Sequence, residues 1–98
     1  MNKEYILCAA IHYDNGKVYK SQPINIHTGF VVLGHRHHNC MEIASILSST
    51  VEYPHSGNCG FLTNTNKFLD RSEAYKVAQV YLPNLNNLNH CLYSEDLY

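Results

Sequence analysis

The sequence has no tryptophan, only 15% charged residues and no hydrophobic run long enough to cross a membrane. Its formal net charge is −1, so the chain lacks the basic excess of a general nucleic-acid binder. Recognition of an anion must therefore be local, and no membrane partner is expected. The 45% hydrophobic content over 98 residues indicates a folded protein, with a single domain spanning residues 1–98.

The four cysteines form no CxxC pair and are spread along the chain at positions 8, 40, 59 and 91. The short apolar run from Tyr5 to Ile11 lacks the length and the cleavage site of a secretory signal. Reduced thiols in the cytoplasm are therefore expected rather than a disulfide framework. Cys8 and Cys40 lie within apolar patterns and are predicted to be small core residues.

Hydrophobic patterning predicts an α+β fold in which a small antiparallel sheet packs with two main helices. Asp14-Asn15-Gly16 is a typical hairpin turn and is expected to join the first two strands. The tail from Asn84 to Tyr98 is expected to form a short C-terminal helix or an extended segment. The predicted strands are Tyr5–Tyr13, Lys17–Tyr19, Phe30–Leu33, Gly60–Thr63 and Phe68–Leu69.

Two helices are predicted, and each begins with a capping signature. The first begins at Cys40, with Asn39 as its N-cap and Glu42 three residues later. The second follows the N-cap Asp70 and has Glu73 at the capping-box position. Both helix starts are therefore expected to be fixed by local hydrogen bonds.

A cationic polar segment, His35–Cys40, lies between a predicted strand and the first predicted helix. It places Arg36, His37 and His38 at a helix N-terminus, where unpaired N–H groups and the helix dipole favour an anion such as phosphate. Arg71 stands at the start of the second helix in a similar way. Two simpler alternatives remain open, namely solvated loop histidines and a surface arginine paired with a carboxylate.

Several segments, which keep their order over most of the chain, resemble the phage Thoeris anti-defence sponges of the anti-defence 1 type. The matching segments are Leu7–Ile11, Asp14–Lys17, Gly29–Cys40, Gly60–Thr63, Asn66–Ala74 and Ser94–Tyr98. Two positions depart from the family pattern, because Lys67 stands in place of an arginine and Tyr98 in place of a terminal tryptophan. Lysine keeps the charge but loses the planar fork, so affinity or isomer preference is expected to differ.

The resemblance implies a protein of the host cytoplasm that binds and sequesters cyclic ADP-ribose isomers without cleaving them. These signals are made by TIR-domain enzymes, so their capture would block Thoeris immunity. Family members form dimers, some of which assemble into hexamers, so a homodimer or a hexamer is expected. Some members also hold cyclic oligonucleotides, which makes cyclic di- and trinucleotides further candidate ligands. No cofactor is implied.

Such a ligand carries a pyrophosphate, two riboses and an adenine, and the predicted site supplies a partner for each. The arginines and histidines are assigned to the phosphates, and the two phenylalanines are assigned to stacking on adenine. The amides and the hydroxyl are assigned to base edges and ribose hydroxyls. The predicted ligand-binding residues are Arg36, His37, His38, Asn39, Phe61, Thr63, Asn66, Phe68 and Arg71.

Three alternatives to a sponge are a hydrolytic enzyme, a zinc site and a protein-binding module. A phosphodiesterase or nuclease would use His37 or His38 as general base. The chain lacks paired HxT or HxS motifs, a nucleophile elbow and a spaced carboxylate cluster, so no catalytic residue is predicted. A zinc site built from His35, His37, His38 and Cys40 matches no standard spacing, so no metal is predicted. A protein-binding module that uses the eight tyrosines is the third alternative.

Overall fold

A computed structural model describes residues 4–47, 57–82, 85 and 91–93. The elements are β1 (Ile6–Tyr13), β2 (Phe30–Gly34), α1 (His37–Leu47), β3 (Asn58–Thr63), β4 (Phe68–Asp70) and α2 (Arg71–Tyr81). The four strands form one antiparallel sheet in the order β2-β1-β3-β4. The predicted α+β class, with a small antiparallel sheet and two main helices, is confirmed.

Both helices pack on one face of the sheet, α1 mainly on β1 and β2, and α2 mainly on β3 and β4. The central strands point Ala9, Ile11 and Phe61 toward the helices, which contribute Ala44 and Ala78. Each of these five residues is at most 1% exposed. Small alanine side chains let the helix backbones approach the sheet closely, so the starts of both helices lie near the sheet backbone.

The connection from β1 to β2 contains no strand, so the predicted strand Lys17–Tyr19 is wrong. The predicted hairpin at Asp14-Asn15-Gly16 is therefore also wrong, and the Asp14 and Asn15 side chains instead accept hydrogen bonds from Gly16 N–H and Lys17 N–H, both at 3.0 Å. The two sides of β1 are already paired with β2 and β3. No position beside β1 therefore remains for residues 17–19.

The β1–β2 connection instead reaches both edges of the sheet. Gln22 Oε1 accepts a hydrogen bond from Val31 N–H of β2 at 2.8 Å. At the opposite edge, the Asn25 amide accepts from Phe68 N–H at 2.8 Å and donates to Phe68 C=O at 2.6 Å. These side chains take the place of a neighbouring strand and protect two otherwise open edges.

The two helix starts differ from each other. At α2 the predicted capping box is confirmed, with Asp70 Oδ1 accepting from Glu73 N–H at 2.7 Å and Glu73 Oε1 accepting from Asp70 N–H at 3.2 Å. At α1 the helix begins at His37, so the predicted N-cap role of Asn39 is wrong. The Asn39 side chain lies inside the first turn and accepts a hydrogen bond from Arg36 N–H at 3.0 Å.

The residues after Leu82 are described only in part. Leu92 is fully buried, and its N–H donates to Arg71 C=O at 2.9 Å. Residues 91–93 are neither helix nor strand, while the rest of the predicted short helix falls largely on residues outside the described set. Within the described ranges, no helix is long and apolar enough to cross a membrane.

Candidate functional site

The N-termini of α1 and α2 meet over one residue of β3, Gly60. Gly60 pairs with Asp70 in β4, so the first residue of α2, Arg71, lies next to it. The first residue of α1, His37, places its Nε2 2.8 Å from Gly60 C=O. Each helix N-terminus carries partial positive charge, which favours an anion. At α2 the capping carboxylates of Asp70 and Glu73 already offset part of this charge.

His37 connects the two helix starts through its ring. The ring is 92% buried, with an edge-to-face contact to Phe61 at a centroid distance of 5.1 Å. A carbonyl only accepts, so Nε2 carries the proton toward Gly60 C=O. A guanidinium only donates, so Nδ1 accepts from Arg71 Nη2 at 3.5 Å. Both ring nitrogens of a neutral His37 are therefore occupied, and the ring holds the Arg71 guanidinium in place.

The Arg71 side chain is also held by the C-terminal segment. Its Nη1 donates to Leu92 C=O at 3.1 Å, and its guanidinium carbon lies 4.9 Å from the centre of the Tyr93 ring. Sequence reasoning missed both contacts, because it predicted only a short helix or an extended segment for this tail. No spacing rule connects position 71 with positions 92 and 93.

Arg36 precedes α1 and is half-buried. Its backbone N–H is held by Asn39, and its guanidinium Nη1 is buried without a hydrogen bond, although the residue makes other interactions. His38 is exposed at the second position of α1. The structure thus brings His37, Phe61 and Arg71 together at one junction, with Arg36 directly before His37 in the chain and His38 exposed after it.

Two predicted ligand residues lie at the β3–β4 turn instead. Thr63 is fully buried, and its hydroxyl oxygen lies 2.9 Å from the Thr65 hydroxyl. Asn66 has φ 62, the left-handed conformation that asparagine tolerates in turns. Its N–H donates to Thr63 C=O at 3.0 Å. Thr63 is three residues along β3 from Gly60, which is roughly 10 Å at strand geometry, so the structure does not bring these two residues to the junction.

Phe68 lies on the face of the sheet away from the helices, next to His12 at a ring-centroid distance of 5.7 Å. It lines one polar cavity together with Arg71, and that cavity has a volume of about 620 Å³. The two phenylalanines are therefore on opposite faces, since Phe61 packs in the core beneath His37.

The thiols nearest this site are structural groups. Burial raises the pKa of Cys40 to about 11, with the nearby thiols of Cys8 and Cys59 adding to the effect. Burial also raises the pKa of Cys8, and its hydrogen bond with Gly34 opposes this shift. A thiol with a raised pKa is rarely ionised at neutral pH and reacts slowly.

Among the described residues, no group of three or more His, Cys, Asp and Glu side chains is arranged to hold a metal ion.

Comparison with known proteins places this chain in one family. No curated protein and no solved structure matches it. The family model described as the phage T4 y16D protein matches residues 5–98, which is nearly the whole chain. The chain therefore belongs to the phage T4 y16D protein family.

Proposed function

We propose that this protein binds and sequesters cyclic ADP-ribose isomers without cleaving them, and so blocks Thoeris immunity in the cytoplasm of the infected host. The observation that carries the proposal is the junction of the two helix N-termini at Gly60. That junction holds Arg71 against His37 and has Arg36 at the start of α1. Membership of a phage protein family agrees with a role during infection.

The charge distribution supports a pyrophosphate as the group bound there. Arg36 and Arg71 each bring a guanidinium charge to a helix start, and the positive end of each helix dipole adds to it. The whole chain carries a net charge of −1, so this concentration of positive groups is local. A local site of this kind suits a small anion better than a long nucleic acid, which needs an extended basic surface.

The hydrogen bonding of the same residues supports sequestration over hydrolysis. Both His37 ring nitrogens are occupied, so the ring has no free acceptor with which to remove a proton from water. The carboxylates nearest Arg71, those of Asp70 and Glu73, each accept a backbone hydrogen bond in the α2 capping box. The catalytic alternative that uses the His37–His38 region therefore gains no support from this geometry.

Mass spectrometry tests the proposal. The protein is incubated with the product of a TIR-domain enzyme, separated from free ligand and heated to release what it holds. We expect an intact cyclic ADP-ribose isomer in a fixed ratio to the protein. A hydrolysed product would instead favour the phosphodiesterase alternative. Release of no nucleotide would favour a protein-binding module. Cyclic di- and trinucleotides, offered in the same way, test for the second class of ligand.

We also propose that the protein assembles as a homodimer or a hexamer through the β2 side of the sheet. Leu33 of the edge strand β2 is exposed, as are Met41, Ile43 and Ile46 of α1. Leu33 and Ile43 line an apolar groove of about 370 Å³ between β2 and α1. An exposed apolar surface of this kind favours the docking of another chain, and a two-fold axis would bring two identical surfaces together.

Light scattering at micromolar concentration should give a mass of at least two 11.2 kDa chains. Ile43→Glu should shift the protein toward the monomer, because it buries a charge in the proposed interface. Val80→Glu is the matched control, since Val80 is exposed on α2 and does not line this groove. A wild-type protein that scatters as a monomer, with and without ligand, would contradict the assembly.

A further inference from the structure

A second binding surface adjoins the arginine junction, on the other side of Arg71. It is the polar cavity of about 620 Å³, bordered by Asn58, Cys59 and Phe68 of the sheet and by Asp70 and Glu73 at the start of α2. Its volume falls in the range of about 300–1,000 Å³ that is typical of small-molecule sites. Arg71 lines it as well, so a ligand in the cavity would extend toward the junction.

The groups that line this cavity select against phosphate. Asp70 and Glu73 each use one carboxylate oxygen in the capping box, which leaves the other oxygen of each as an acceptor. The Arg71 guanidinium nitrogens are directed away, toward Leu92 C=O and His37 Nδ1. The cavity therefore presents negative charge and acceptors, which favour neutral groups with O–H and N–H donors.

Two further residues narrow the ligand class. Asn58 is exposed, and its amide offers one donor side and one acceptor side, as an edge of a base requires. Phe68 supplies an apolar wall, and its ring lies over Gly60, where a Cβ would come within 2.7 Å of Phe68 Cζ. A ribose with vicinal hydroxyls, joined to a base, matches this combination of carboxylate, amide and aromatic groups.

We infer that this cavity receives the nucleoside part of the ligand, with the ribose hydroxyls donating to Asp70 and Glu73 and a base edge at Asn58. The phosphates of the same molecule then lie at the junction of the helix N-termini. This inference rests on the proposed nucleotide-binding function, which it deepens by assigning each part of the ligand to its own surface. Phe68 and Arg71 both line this cavity. The sequence predicted each of them separately as a ligand-binding residue.

NMR of the Phe68 ring tests where the nucleoside lies. The full-length protein is prepared with isotope-labelled phenylalanine, and the ring signals are followed during titration. Cyclic ADP-ribose and millimolar adenosine should each shift the Phe68 ring signals, because each would fill the cavity that Phe68 lines. Inorganic phosphate should leave these signals unchanged. Phe30, which does not line the cavity, serves as the internal reference.

Substitutions provide the second measurement. Asn58→Ala and Glu73→Gln should each weaken binding of cyclic ADP-ribose about tenfold while leaving binding of inorganic pyrophosphate unchanged. Glutamine preserves the helix cap in the second variant. Glu42→Gln is the matched control, because Glu42 is exposed on α1 away from the cavity. Each variant is checked for wild-type thermal unfolding.

The outcomes separate this inference from the proposed function. A shift of the Phe68 ring signals by inorganic phosphate would overturn the assignment of the nucleoside to the cavity. Wild-type affinity of Asn58→Ala for cyclic ADP-ribose, with the Phe68 signals unchanged, would overturn it while leaving the sponge proposal standing. An absence of binding by every nucleotide tested would refute both.

Discussion

Replacing Arg71 with alanine should weaken binding of cyclic ADP-ribose about 30- to 150-fold in isothermal titration calorimetry. Removing one partner of a bound charge costs about 2–3 kcal/mol where the site is partly open to solvent, as it is around half-buried Arg71. Arg36→Ala should weaken binding in the same direction, because it removes the cation at the other helix start. The lost affinity should appear mainly as faster dissociation.

Two variants control for charge and for folding. Arg71→Lys keeps the charge but loses the planar fork, so its affinity should lie between those of the wild type and of Arg71→Ala. Lys76→Ala removes a positive charge from the exposed side of the same helix and should change affinity less than twofold. Arg71 also contacts Leu92 and Tyr93. Thermal unfolding of each variant shows whether loss of these contacts destabilises the fold. Wild-type affinity in both folded alanine variants would refute the phosphate assignment.

The features that the sequence predicted correctly depend on short spacings. The α2 capping box involves only Asp70 and Glu73, whose hydrogen bonds close within four residues. Strand positions follow from local apolar runs in the same way. The N-cap of α1 was misassigned within an equally short segment, because asparagine also accepts hydrogen bonds from inside the first turn. The residue type alone does not show whether Asn39 is the N-cap or lies inside the first turn.

The features that the sequence did not reveal depend on contacts between distant residues. The strand Lys17–Tyr19 failed because β3, some 40 residues later, occupies the remaining side of β1. The partners of the His37 ring could not be predicted for the same reason, since Gly60 and Arg71 are 23 and 34 positions away in the chain. A periodic pattern reports which residues are buried, but it does not report which partner completes a hydrogen bond.

Phe61→Ala should lower the free energy of unfolding by about 3–5 kcal/mol, as expected for a large aromatic side chain removed from a packed core. Phe61 is fully buried between the helices and the sheet, and its ring packs against the edge of His37. Small domains have about 5–15 kcal/mol of stability in total, so the variant should be largely unfolded well below the wild-type midpoint. Urea unfolding followed by circular dichroism measures the change, since the chain has no tryptophan for fluorescence.

The Phe61→Leu variant tests whether Phe61 is only a core residue or also stacks on adenine. Leucine keeps most of the apolar volume, so stability should fall by less than about 1.5 kcal/mol. If the ring only supports His37 and through it Arg71, the affinity for cyclic ADP-ribose should stay within about threefold of the wild type. A Phe61→Leu protein that is stable but loses most of its affinity for adenine-containing ligands, while still binding pyrophosphate, would show that the ring stacks on the base. That result would move the adenine from the cavity beside Phe68 to the helix side of the sheet.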